Sequence, residues 1–95
     1  MISFTVRLTF EEGTRKSIAE TLQPLMEASR QEPGCLHYLP HFVEEERATL
    51  VIYEQYADEA ALEHHRNSPH FQQYAANGLY KLRHTRLLEP LLAIV

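Results

Sequence analysis

Tryptophan is absent from this 95-residue chain, cysteine occurs once and glycine three times. A lone Cys35 cannot close an internal disulfide, which fits a reducing cytoplasm. With one cysteine beside six histidines, a Cys-rich structural zinc site is excluded. No run approaches the roughly 18 consecutive apolar residues of a membrane helix, so no membrane partner is expected. The N-terminal MISFTVRLTF lacks the basic start and unbroken apolar run of a secretory signal. Basic residues are in the minority, with nine Lys and Arg against thirteen Asp and Glu and a formal charge of -4. They form no stripe, so no nucleic-acid partner is expected. Repeats, low-complexity tracts and Gly/Ser linkers are missing as well. Length alone then gives one domain, 1–95.

What is present is regular. Residues 2–10 alternate, with Ile2, Phe4, Val6, Leu8 and Phe10 on one side and Ser3, Thr5, Arg7 and Thr9 on the other, as a half-buried strand does. Glu11-Glu12-Gly13 breaks the strand, and Thr14 is positioned to cap a helix. The stripe Ile18, Leu22, Leu25, Met26 forms one helical face. Pro24 is expected to bend or restart that helix, because it removes an N–H and crowds the preceding turn. Glu32-Pro33-Gly34 ends it near residue 31. Cys35–Val43 reads as a second strand, placed at a sheet edge or given a bulge by Pro40. The turn Glu44-Glu45-Glu46 leads into a third strand, Ala48–Tyr56. Asp58 caps a short helix through Ala60, Ala61, Leu62 and His65. Ser68-Pro69 starts another, expected to stop at a left-handed Asn77-Gly78. Leu79–Leu88 is expected as the last strand, and 87–95 as an apolar tail.

The order is βαββαβ with a split second helical region. Connection rules point to an α+β, ferredoxin-like fold with the second strand at an edge. The apolar tail is most simply buried in a partner subunit.

The strings Glu32-x-Gly34-Cys35-x-x-Tyr38, Tyr53-Glu54-x-Tyr56 with Asp58, Ala61-Leu62-x-x-His65 and Ser68-Pro69-His70-Phe71 occur in this order. Together they resemble the antibiotic biosynthesis monooxygenase (ABM) family. The resemblance implies a homodimeric α+β barrel, each protomer holding a pocket between sheet and helices. It also implies a small-molecule substrate. Family activities vary, so the site must decide among them. Haem-degrading members use a pocket tryptophan and a first-strand asparagine. Here tryptophan is absent and the matching strand position is Val6. Polyketide-oxidising members use third-strand asparagine and tryptophan, where this chain has Ile52 and Tyr56. Neither catalytic set carries over. The pattern is instead similar to the quinol-oxidising and autoinducer-2-processing branches, which implies roles for Glu54, His65 and His70.

Period 2 puts Ile52, Glu54 and Tyr56 on one strand face. A carboxylate there enters an apolar layer, as an acid–base group with a raised pKa or as half of an ion pair. His65 follows Leu62 and Ala61 on the apolar side of its helix. Glu54 and His65 are therefore the catalytic candidates, and Tyr56, His70, Ile52, Val6 and Leu62 the substrate-binding ones. His37 and His41 stand about 13 Å apart on an extended strand, and His64 diverges from His65, so no metal is expected. No other cofactor is expected either. Three readings remain open. One is a cofactor-independent monooxygenase of a small quinol-like or polyphenolic compound. The second is an isomerase of a small carbonyl compound, with or without phosphate. The third is a non-enzymatic ligand-binding dimer.

Overall fold

The alternation of β1 (Ile2–Thr9) seeds the core, because it sends Phe4, Val6 and Leu8 to one side, all nearly inaccessible to water. Burying each such side chain is worth about 1.5–3 kcal/mol. The computed structural model describes residues 1–94. β1 lies between β3 (Thr49–Tyr56) and β4 (Thr85–Leu91), and β2 (Cys35–Phe42) pairs outside β3. The antiparallel order β2-β3-β1-β4 is the ferredoxin-like βαββαβ arrangement. Pro40 sits on the edge strand as expected, and the β2–β3 register slips between Cys35 and His37.

Helix α1 (Arg15–Gln31) packs Ile18, Leu22 and Leu25 onto the sheet face carrying Leu50, Ile52, Glu54 and Tyr56. It runs unbroken through Pro24, so the proline does not restart it. Three buried anchors outweigh the single hydrogen bond that proline removes. Thr14 does not cap it with its side chain and instead donates to Glu11 O at 2.6 Å. Asp58 does cap α2 (Glu59–Arg66), accepting from the Ala61 N–H at 2.8 Å. Ser68 Oγ accepts from the Phe71 N–H at 3.2 Å and donates to His65 O at 2.6 Å. It thereby starts the next helix and ties it to α2.

Two boundaries differ from expectation for one reason. The segment α3 (Phe71–Leu79) is wound with π-type turns, passes through Asn77-Gly78 and continues into the α-turn α4 (Tyr80–Leu82). Gly78 is not left-handed; Gly13, with φ 87°, is. Leu79, 1% exposed, anchors the segment in the core and overrides the local stop signal. The final strand therefore starts at Thr85 rather than Leu79. In this register Arg86, Leu88 and Pro90 stand opposite Leu8, Val6 and Phe4. Within the single chain the tail is exposed, with Leu92 95% and Ile94 103% accessible. Val95, the last residue of the expected tail, lies outside the described residues.

Candidate active site

Four buried polar side chains meet where the end of α1, β3 and α2 converge. Glu54 projects from β3 into the helix-facing layer, opposite Phe4 on one side and Tyr38 on the other. His65 comes from the inner face of α2 at 2% exposure, and Glu32 from the end of α1 at 7%. His65 Nδ1 lies 3.0 Å from Glu32 Oε2, and its Nε2 lies 3.7 Å from Glu54 Oε1. Tyr56 Oη donates to Glu54 Oε1 at 2.7 Å. His70 Nε2 also hydrogen-bonds Glu32 Oε2, while Glu32 Oε1 is buried without a partner.

This meeting depends on a close approach between the start of β2 and α2. A Cβ on Gly34 would stand 2.3 Å from Ala61 Cβ, so only glycine lets the two backbones come this near. Aromatic rings then fix the imidazole. Tyr56 and Phe71 lie 5.1 and 5.2 Å from His65 between ring centroids, and Tyr38 lies at 5.8 Å.

The electrostatics split the pair into an acid and a base. Burial is the main cause that pushes the Glu54 carboxyl up to about 7, against the Tyr56 hydrogen bond and the Arg66 charge. Burial also lowers the His65 pKa below its ordinary 6.5, more than the hydrogen bond it donates to Glu32 raises it. A carboxylate accepting from Nδ1–H fixes the tautomer whose Nε2 lone pair is bare. The result is a neutral imidazole presented beside a carboxyl that exchanges its proton near neutrality. Groups whose surroundings push their pKa values apart are suited to paired acid and base roles.

Val6, Leu62, Glu54 and His65 line a cavity of about 30 Å³, together with Phe4, Arg66, Phe71, Tyr80, Arg86 and Leu88. That volume admits about one water molecule, so a larger ligand needs some of the lining side chains to move. Of the other expected site residues, Tyr56 is fully buried behind Glu54 and Ile52 lies in the core beside Val6. His70 stands behind Glu32, outside the cavity lining. A roomier apolar groove of about 150 Å³ between α1 and the β2 edge offers His41 as its one titratable side chain. The donor atoms of Glu32, His65 and His70 all lie within 4.8 Å of one another. A divalent ion could take them only by replacing both hydrogen bonds on Glu32 Oε2. Burial drives the Cys35 thiol up to about 11, which leaves it a poor nucleophile.

Glu32 is the main residue that sequence reasoning missed, having been read as part of a helix stop. One signal pointed to it. A carboxylate at a helix C-terminus opposes the helix dipole, so its placement there calls for another cause. Arg86 was missed because the pattern of Leu79–Leu88 does not by itself say which face of that strand looks towards the helices.

The family model described as "Antibiotic biosynthesis monooxygenase" matches residues 1–77. Rv0793 of Mycobacterium tuberculosis, named as a candidate monooxygenase, is 32% identical over 75 residues, covering 79% of this chain and 73% of that protein. The uncharacterized protein sll1783 of Synechocystis is 29% identical over 77 residues, 70% of this chain. The chain spans about half of its length, 52%. Among solved structures, PA3566 of Pseudomonas aeruginosa superposes with a TM-score of 0.88 at 28% identity, covering 99% of this chain and 94% of that one.

Proposed function

This chain belongs to the antibiotic biosynthesis monooxygenase family, and from that footing we propose that it oxidises a small quinol-like or polyphenolic compound with dioxygen, without metal or organic cofactor. The observation that carries the reading is the neutral, buried His65, held by Glu32 and set 3.7 Å from Glu54 on the wall of a shared cavity. His65 Nε2 takes the hydroxyl proton of the substrate. The resulting anion is electron-rich enough to react directly with dioxygen, and the Phe4, Val6, Leu62 and Phe71 part of the wall orients it and keeps water from its ring. The overall balance is quinol plus dioxygen giving hydroxyquinone plus water. One oxygen atom enters the ring and the other leaves as water after taking two protons, while the substrate supplies four electrons. Glu54, protonated below about pH 7, supplies a proton to the departing oxygen.

The working form is a homodimer. The sheet face away from the helices carries Leu39, Leu87 and Leu91, 37, 60 and 40% exposed. Burying these apolar side chains against a second copy supports that arrangement. The isomerase reading uses the same acid–base pair and keeps one observation in its favour, the two arginines at the cavity. Oxygen uptake by chelator-treated protein with menadiol-type quinols tests the oxygenase. Uptake well above autoxidation, and insensitive to EDTA, supports it. A rate equal to autoxidation across a panel of quinols rejects it, and chelator-dependent uptake rejects its metal independence.

A further inference from the structure

The cavity beside Glu54 and His65 carries a positive charge pattern whose part in the pair's own proton chemistry is only to draw the raised Glu54 carboxyl back down. Arg66 reaches it from the last turn of α2, and Arg86 from the helix-facing side of β4. Glu54 is the one acidic residue in the lining, and it is buried with its Oε1 taken by Tyr56. Among the described residues neither guanidinium makes a salt bridge, whereas Arg7 pairs with Glu46 at 2.9 Å. Arg15 is likewise occupied by backbone carbonyls of the 43–47 turn, and Arg30 by Tyr38 O. Arg86 packs over the Tyr80 ring at 5.2 Å from its centroid, and both side chains line the cavity. Two cations without a salt bridge among the described residues therefore flank a small cavity in a chain whose net charge is -4.

Resting on the oxygenase reading above, we propose that the substrate carries an anionic substituent, carboxylate or phosphate, that Arg66 and Arg86 hold while its hydroxyl faces His65. Planar guanidinium forks match such groups through paired N–H···O bonds, which a neutral substituent cannot replace. The same charges favour ionisation of the substrate hydroxyl and so assist the base.

The test compares 2,5-dihydroxybenzoate with its methyl ester, a pair of equal ring chemistry differing in charge, and adds a phosphorylated hydroquinone as a third arm. Oxygen uptake and equilibrium binding are both measured on the intact chain. The expected result is at least tenfold tighter binding of an anionic probe than of the ester. That preference should fall to about one in Arg66→Gln/Arg86→Gln and survive in part in Arg86→Lys. The arm that binds better identifies the anion. Equal binding of acids and ester, or a preference untouched by the double substitution, overturns the proposal whether or not oxygen is consumed. Selective binding of the anion without oxygen uptake rejects the oxygenase reading and leaves the anion site standing. Both arginines are exposed, so the variants are expected to fold, and circular dichroism checks this.

Discussion

Replacing Glu54 with glutamine should make the protein more stable at alkaline pH and change little in acid. The Tyr56 hydroxyl can donate to the glutamine carbonyl as it does to Glu54 Oε1, so the substitution removes the ionisation and keeps the bond. In the folded chain the carboxyl pKa is raised from 4.5 to about 7, chiefly by burial. Below the unfolded value both states hold the proton, and the group has no effect on the pH dependence. As pH rises from 4.5 to about 7 the unfolded chain releases its proton while the folded chain keeps it, so stability falls. Above the folded value the loss is complete. At about 1.4 kcal/mol per pH unit it amounts to about 3 kcal/mol, a large share of a small domain's total stability. The assay is urea unfolding of the native protein and Glu54→Gln in matched buffers from pH 4 to 9. The difference between them should open above about pH 4.5 and level off above about 7. A difference that stays flat across this range refutes the claim that Glu54 is buried with a raised pKa.

Turnover should rise with pH as His65 loses its proton below 6.5, then decline through about 7 as Glu54 ionises; in kcat profiles, Glu54→Gln should remove the upper limb. Glu32→Leu should cut kcat by about ten- to a hundredfold with little change in KM, because His65 loses the acceptor that fixes its tautomer, and Glu32→Gln, whose amide oxygen can still accept, should cut it less. A parallel rise in KM would instead assign Glu32 to substrate binding. Gly34→Ala should destabilise the fold by about 1–3 kcal/mol in denaturant titration, since the added methyl meets Ala61 Cβ at 2.3 Å. Adding Ala61→Gly should recover most of that loss, and no recovery would show that the strain lies elsewhere.

Most of the fold was legible because alternation and caps are local properties. The pattern of β1, the Asp58 cap and the Ser68-Pro69 start all stand as read. Asn77-Gly78 misled because a dipeptide preference is weak against the burial of Leu79 one residue later, and that error put the start of the last strand too early. Glu54 and His65 were legible as ionisable residues on apolar faces. Glu32 was not, since its partners His65 and His70 are 33 and 38 residues away in sequence. Only the Gly34–Ala61 approach brings them together, and that contact leaves no local pattern beyond the glycine itself.

The state of His65 underlies the whole proposal, and it can be observed without knowing the substrate. Long-range proton–nitrogen correlation of 15N-labelled protein at pH 7 reads the protonation of each imidazole nitrogen. The expected spectrum assigns His65 as neutral, protonated at Nδ1 and bare at Nε2, with the Nδ1 proton lost to fast exchange in Glu32→Leu, which has no acceptor. A His65 found as imidazolium, or as the Nε2-protonated tautomer, would mean that no base faces the cavity.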